Sequence, residues 1–466
     1  MAAQRVTAVF DIGRTNKKFF LFDDDFREVH REYVRFDELT DEDGYPCDDL
    51  EALHGWLRQV FHRILEAENY DVQAINFSSY GASFVHLGAD GEVIAPLYNY
   101  TKPLASDLTD EFYRKYGPVE EFTERTGSPP SGMLNSGMQL YWLKHRKPEL
   151  YKGIRYSLHL PQYLSYVFTG VPVSEYTSIG CHTALWDYRK QDYHDWVYAE
   201  EIHRILPPIV STETSINMNY NGKRMKIGVG IHDSSAALLP YLRSQSKPFI
   251  LLSTGTWSVA LNPFASSKLS SVASPNSLEN PAQNCVNYMR IDGKPVRAAR
   301  LYLGQEYKTQ VVQLAEHFGV ATDRHKSVTF DYDLYRRVTE NYTPRFHFEH
   351  LDRPDNPPKT DLAEQTYDHA YHQLLVELVR EQNKSILTAL GKTNAKKLFV
   401  DGGFSDNKIY VHLIAHHFRG LQLRTTDASL GSALGAAICI SDKDLNSKFL
   451  KHNYGVKKHQ PFVVTE

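Results

Sequence analysis

The sequence predicts an α/β chain of two similar lobes, and three observations predict it. A strand, a glycine turn and a returning strand occur twice, at Phe10-Asp-Ile-Gly-Arg-Thr-Asn16 after the apolar run Val6–Phe10, and at Leu252-Ser-Thr-Gly-Thr-Trp257 after Phe249–Leu252. The first hairpin leads into alternating strands and helices, the element order of an α/β lobe. The length, 466 residues, exceeds one hydrophobic core and, at roughly 100–200 residues per domain, fits two to four units.

After the first hairpin an acidic turn, Asp23-Asp24-Asp25, precedes a short strand around Val29–Phe36. Leu53, Trp56, Leu57, Val60, Phe61, Ile64 and Leu65 then recur at steps of three and four, which marks one face of a helix. The strand Val72–Phe77 follows, with helices expected around Gly137–Lys144 and Pro161–Phe168. The polar stretch Ser244–Pro248 divides the chain into an N-terminal lobe, residues 1–245, and a C-terminal lobe, residues 246–466. Within the second lobe, Asp323–Asp361 is rich in charge, Pro and Tyr and reads as irregular surface. A long helix is expected over Leu362–Leu390, then the strand Lys397–Val400, a turn at Gly402-Gly403, and a helix that Ser405 caps from Asp406 onward. The Gly- and Ala-rich segment Ala428–Ile440 suits a closely packed helix.

Composition narrows the function. A formal net charge of −4 gives no clustered positive field for nucleic acid or an acidic membrane. The four cysteines, Cys47, Cys181, Cys285 and Cys439, form no CxxC pair and read as free thiols. Met1 leads directly into the first strand without a charged-then-apolar leader, and no apolar run is long enough to span a bilayer, so a cytoplasmic protein is expected.

Three segments carry chemistry. Asp11 ends a buried strand beside Gly13, Thr15 and Asn16; a carboxylate there can hold a hydrated Mg²⁺ while the turn donates to phosphates, with Lys17 or Lys18 offsetting charge. The plain alternative is a β-turn whose Asp bonds its own backbone. The second loop, Thr254-Gly255-Thr256, favours the phosphate reading. In Val229-Gly-Ile-His-Asp-Ser-Ser-Ala-Ala237, Asp233 opens a small-residue helix. It is either a simple cap or a carboxylate that takes the proton of a substrate hydroxyl attacking a γ-phosphorus, with His232 bonding the same substrate. Gly391-Lys-Thr393 is no Walker A loop, because Ile386 stands where that loop needs glycine, and Gly228-Val-Gly-Ile-His-Asp233 lacks the third glycine of a dinucleotide fingerprint.

Taken together, Asp11-Ile-Gly-Arg-Thr, Gly230-Ile-His-Asp-Ser, Ser253-Thr-Gly-Thr-Trp and Asp401-Gly-Gly-Phe-Ser-Asp-Asn407 resemble the FGGY family of carbohydrate kinases over nearly the whole chain. The resemblance implies two ribonuclease-H-like lobes of the actin and hexokinase type, with sugar and ATP meeting in the interdomain cleft. It makes Asp233 the catalytic base and Asp11 the Mg²⁺ and phosphate residue, with Asp233 as the second carboxylate near the metal. Gly13, Thr15 and Asn16 match the first phosphate loop, and Thr254, Gly255 and Thr256 the second. Gly402 and Gly403 match the turn against the nucleotide, with Asn407 beside the adenine. Tyr80, Gly81, His232 and Asn287 are the sugar-side candidates, and the His232-Asp233 pair is most like that of the 6-deoxyketose kinases, which act on rhamnulose or fuculose. Other expectations are a xylulose, ribulose or polyol kinase of the same family, an actin-like ATPase without a sugar, and a degenerate sugar-binding protein. The implied partners are a sugar, ATP and Mg²⁺, and dimers are common in the family. Arg14 replaces a small residue of the first loop, Phe404 replaces a third glycine, and Pro96-Leu-Tyr-Asn-Tyr-Thr-Lys102 lacks the Trp-x-Asp-x-Arg-like sugar motif of many members.

Overall fold

The computed structural model describes residues 3–265, 285–340, 342–363, 365–427 and 430–462. Two seven-stranded sheets organise it. The first contains β1 (Gln4–Ile12), β2 (Lys17–Asp23), β3 (Glu28–Val34), β4 (Tyr70–Ser79), β5 (Ser215–Tyr220), β6 (Lys223–Gly228) and β7 (Ile231–His232), in the order β5-β6-β4-β1-β2-β3 with β7 paired to β4. The second contains β8 (Phe249–Thr254), β9 (Ser258–Asn262), β10 (Cys285–Met289), β11 (Pro295–Leu301), β12 (Lys397–Gly402), β13 (Gln422–Thr426) and β14 (Lys457–His459), in the order β10-β11-β9-β8-β12-β13-β14.

The repeat read from the two hairpins extends to topology. In β3-β2-β1-β4-β6 the pairings run antiparallel, antiparallel, parallel, parallel. In β11-β9-β8-β12-β13 they run in the same sequence. Each glycine turn therefore stands at the end of the strand where antiparallel pairing gives way to parallel pairing.

Side-chain alternation along the strands sets the layers. Ala8 and Phe10, with Phe19 and Leu21, pack outward against Leu53, Leu57 and Val60 of α1 (Leu50–Glu66). Val9, Phe20 and Phe22 point the other way, into a core shared with Phe249 and Leu251 of β8. Between the sheets lie α2 (Asp233–Ser244), through Leu238 and Leu239, and α6 (Gly431–Cys439), through Ala433 and Leu434. These helices meet closely because α6 carries Gly435, where an added Cβ would lie 1.8 Å from the Ala236 carbonyl oxygen. The outer face of the second sheet is covered by α3 (Leu303–Phe318) and α4 (Tyr367–Leu390).

Several expected boundaries shift for local reasons. The helix expected from Leu362 starts at Tyr367, because the Thr366 side chain caps it by accepting from His369 N. Ser405 does not cap the following helix: Gly403–Asp406 forms a 3₁₀ turn, and Asn407 caps α5 (Lys408–His417) by accepting from Tyr410 N at 3.0 Å. The stretch expected to be irregular contains the helix Tyr332–Glu340. Of the expected Ala428–Ile440 helix, residues 428 and 429 lie outside the described residues. All four cysteines are free and buried. No helix among the described residues is long and apolar enough to cross a membrane.

Candidate active site

Two cavities flank the second hairpin loop. Gly255 and Thr256 line one of about 650 Å³, whereas Trp257 and Val259 line the other, of about 540 Å³. The loop is thus a partition between the two.

The smaller cavity holds Tyr80, Gly81, His232 and Asp233 together. Asp233 is the first residue of α2, and its Oδ1 accepts from Ser234 N and from Ser234 Oγ at 3.1 Å. Its Oδ2 has no hydrogen-bond partner among the described residues, and 34% of the side chain is exposed. His232 Nε2 lies 3.2 Å from Asp233 Oδ1 and 3.3 Å from Cys181 Sγ, with Nδ1 3.4 Å from Ser235 Oγ. Burial holds the His232 imidazole below its ordinary pKa, against the pull of Asp233 and Glu175, so it is neutral near pH 7. Gly81 is glycine for room: an added Cβ would lie 3.1 Å from the His232 ring and 3.2 Å from Cys181 Sγ. Tyr80 donates to Asp48 Oδ2 at 2.7 Å.

Asn287 does not line this cavity. On β10 its neighbour Tyr288 does, and the alternation of the strand turns Asn287 the other way, against Gly127, where an added Cβ would lie 2.5 Å from Asn287 Cβ. Its backbone bridges the two halves of the chain: Asn287 N donates to Gly127 O at 2.8 Å, and His182 N donates to Asn287 O at 3.0 Å.

In the larger cavity are Gly255, Thr256, Gly403 and Asn407, with Tyr307, Tyr371 and Phe404 as aromatic walls and Lys308, Lys326 and Lys408 as cations. Thr254 and Gly402 do not line it. The buried Thr254 hydroxyl donates to Asp401 O and accepts from Phe404 N at 3.1 Å, so it ties the second loop to the glycine turn. Gly402 has φ +85°, and an added Cβ would lie 1.9 Å from Thr254 O; only glycine fits there. Asn407 caps α5 and donates to Tyr371 Oη at 3.0 Å, which occupies both ends of its amide.

Asp11, Gly13, Thr15 and Asn16 line neither cavity. Gly13 N donates to Asn16 O at 3.0 Å, as Gly255 N does to Trp257 O at 2.8 Å, so both glycine amides close their own turns. Asn16 Oδ1 accepts from Arg35 at 2.6 Å. Asp11 is buried and accepts from Ser432 Oγ of α6 at 2.9 Å. Burial raises its pKa; Lys18 and Ser432 oppose that rise, and the charge of Asp233 adds to it. Lys17 is turned away, bound to Arg14 O at 2.7 Å and Asp48 Oδ1 at 2.8 Å. A buried Asp11 carboxylate within reach of the Asp233 charge suits a divalent cation between phosphates and protein, since Mg²⁺ is typically held by one or two carboxylates plus phosphate oxygens. No group of three His, Cys, Asp or Glu side chains among the described residues forms a metal cluster by itself.

The walls that sequence reasoning missed come from scattered segments. Lys308 and Lys326 follow no motif, and Gly304 shows its role only in space, where an added Cβ would lie 1.8 Å from Gly255 O. Arg14 lies over the Tyr100 ring at 5.2 Å and pairs with Glu38 at 3.4 Å.

The chain is 24% identical over 249 residues to a rhamnulokinase of Oceanobacillus iheyensis, a match covering 50% of this chain and 49% of that one. The chain therefore spans about half the length of the curated relatives it matches. Among solved structures, a carbohydrate kinase from Novosphingobium aromaticivorans superposes with TM-score 0.77 at 22% identity, over 98% of this chain and 95% of that one. A ligand-bound xylulose kinase from Lactobacillus acidophilus gives TM-score 0.76 at 15% identity, over 98% and 94%. Both share the fold. The family model for the N-terminal domain of the FGGY family of carbohydrate kinases matches residues 6–238, and that for the carbohydrate kinase FGGY C-terminal domain matches 246–448. With half of the chain matched by the first and most of the remainder by the second, the chain belongs to the FGGY family of carbohydrate kinases.

Proposed function

We propose that the protein is an ATP-dependent sugar kinase whose acceptor is a ketose of the 6-deoxy type, such as L-rhamnulose or L-fuculose. The observation that carries this reading is Asp233: a carboxylate with one oxygen held by Ser234 and the other without a partner among the described residues, at the wall of a sugar-sized cavity. Asp233 takes the proton of the acceptor hydroxyl as its oxygen bonds to the γ-phosphorus. The bond from that phosphorus to the bridging oxygen breaks, and ADP leaves. His232, neutral at the same edge, orients the acceptor. The larger cavity takes the nucleotide, with its base against Tyr307 and Phe404 and its phosphates toward Gly255 and Thr256. Asp11, with Asp233 nearby, would hold Mg²⁺, which neutralises phosphate charge when bound.

The apolar stretch of the acceptor wall, Pro103, Leu104, Met133 and Leu134, favours a methyl terminus over a hydroxymethyl one, and the rhamnulokinase relatives point the same way. The xylulose kinase neighbours share only the fold. We place the lobe boundary at residues 245/246, the protein in the cytoplasm, and the assembly as a homodimer, which sedimentation tests. ADP release over a panel of ketoses and polyols tests the function. Asp233→Asn should abolish sugar-dependent ADP release while the protein stays folded, and near-normal turnover in that variant overturns the assignment.

A further inference from the structure

Two polar groups in the acceptor cavity have no work in the scheme above. Arg300, on β11, lines the cavity beside its cross-strand partner Val259. Its guanidinium carbon lies 6.0 Å from the Trp257 ring centroid, its buried Nε has no hydrogen-bond partner, and no carboxylate pairs with it among the described residues. The other cavity cation, Lys102, is neutralised by Asp41 and Asp43 at 2.6 Å each. His182, 5% exposed, lines the same cavity, with Nδ1 buried and unpartnered and the ring 5.5 Å from that of Tyr288. Its backbone takes the left-handed conformation, φ +40°, and is clamped on both sides: its carbonyl accepts from Asn135 Nδ2 at 2.8 Å, and its amide donates to Asn287 O. A non-glycine residue held there is costly unless its surroundings impose it. Burial and, after it, the charge of Arg300 keep the imidazole neutral against the opposing pull of the His182 and Leu134 backbone, so it can donate or accept.

We infer that Arg300 and His182 form a second polar pole of the acceptor cavity and bind two neighbouring oxygens of the acceptor. Arg300 lines the acceptor cavity and not the nucleotide cavity, so it acts on the acceptor. A guanidinium is a planar fork of donors with no acceptor, and it matches a pair of adjacent oxygens better than a lone hydroxyl. Two acceptor chemistries present such a pair with at least one acceptor-only oxygen: the carbonyl and adjacent hydroxyl of a ketose, and the carboxylate of an aldonate. An alditol offers adjacent oxygens only as hydroxyls, each carrying a proton that the donor-only fork cannot accept, and is discriminated against. The inference rests on the kinase reading, and it names residues that select the acceptor.

The test uses the full-length chain, three acceptor classes (L-rhamnulose or L-fuculose, the matching alditol, and D-gluconate) and two readouts: ADP release, and quenching of Trp257 fluorescence by acceptor without ATP. Arg300→Gln should raise the KM for the preferred acceptor roughly ten- to a hundredfold, the loss of a charged hydrogen bond, and leave the KM for ATP unchanged. The preference over the alditol should collapse, which a merely structural role would not produce. Arg300→Lys should recover part of the affinity but not the preference. His182→Asn, which tolerates positive φ, should weaken the acceptor less than His182→Ala. Preference for ketose or for aldonate in the wild type separates the two sources of the oxygen pair. Unchanged acceptor KM and preference in Arg300→Gln, or a rise confined to ATP, overturns the inference while the kinase reading stands. If no acceptor binds or turns over in the wild type, both fall.

Discussion

The Tyr80 hydroxyl donates to Asp48 Oδ2 at 2.7 Å, and through that carboxylate the acceptor cavity is anchored to the first hairpin, because Asp48 Oδ1 takes Lys17 at 2.8 Å. Lys17 is almost fully buried. Asp48→Ala therefore leaves a buried ammonium without its counter-ion, at a cost of about 3 kcal/mol or more. Tyr80→Phe removes one hydrogen bond, worth about 1 kcal/mol. Urea midpoints for the two variants check this ordering, and equal losses would contradict it.

Asp11 sets function against stability. Burial raises its pKa, so the ionised carboxylate is unfavourable in the folded protein at neutral pH. That group's contribution to stability is present at low pH and is lost as pH rises through its raised folded value. Asp11→Asn removes the cost. The variant should melt at the same temperature as the wild type or higher, and lose about a hundredfold or more in kcat at saturating Mg²⁺ if Asp11 serves the metal. Calorimetry and ADP release measured together check both halves.

Acid should loosen the N-terminal half. His86 and His159 sit on the antiparallel pair Phe84–Leu87 and Tyr156–His159, bonded to Ser157 and Ser136 at 2.9 Å and 3.0 Å. Burial lowers both imidazoles to about 3 from an ordinary 6.5. The unfolded chain binds these protons below pH 6.5 and the folded chain does not until about pH 3, so their contribution to stability is full above 6.5 and falls with pH below it. At pH 5.5 each costs about 1.4 kcal/mol. Chemical denaturation at pH 7.5 and 5.5 measures the slope, and His86→Gln should reduce it by about one proton's worth.

Gly435→Ala should be among the most damaging of small substitutions. Its Cβ would collide with the backbone of Ala236, which cannot retreat without moving α2. Since Asp233 begins α2, the variant should lose both stability and turnover. A compensating larger-to-smaller change at Ala236 cannot rescue it, because the clash is with a carbonyl. Thermal melts of Gly435→Ala and of the pair Gly435→Ala with Ala236→Gly decide this.

How much was legible in the sequence depended on whether a feature was local. The hairpins at Asp11 and Thr254 declared themselves because strand, glycine and strand are contiguous, and Asp233 did so because small residues open its helix. The cap of α5 was misread by two residues: Ser405 and Asn407 are both good caps, and only the 3₁₀ turn between them selects Asn407. Asn287, expected on the sugar side, turns away from the acceptor cavity, since strand parity depends on a register with Arg297 and an approach to Gly127 that no local pattern records. Arg300 and His182 carried no signal at all. They approach each other only because β11 and the segment after Gly180 arrive at one wall from opposite halves of the chain.

Arg14, on the first hairpin, lies over Tyr100, which lines the smaller cavity. One side chain therefore joins that hairpin to the cavity that holds Asp233. If the first hairpin serves the nucleotide as proposed, an acceptor that shifts Tyr100 alters nucleotide affinity, and thermodynamic linkage makes the effect reciprocal: whatever factor the acceptor adds to nucleotide affinity, the nucleotide returns to the acceptor. Arg14 is then a route by which each substrate senses the other before any phosphoryl group moves.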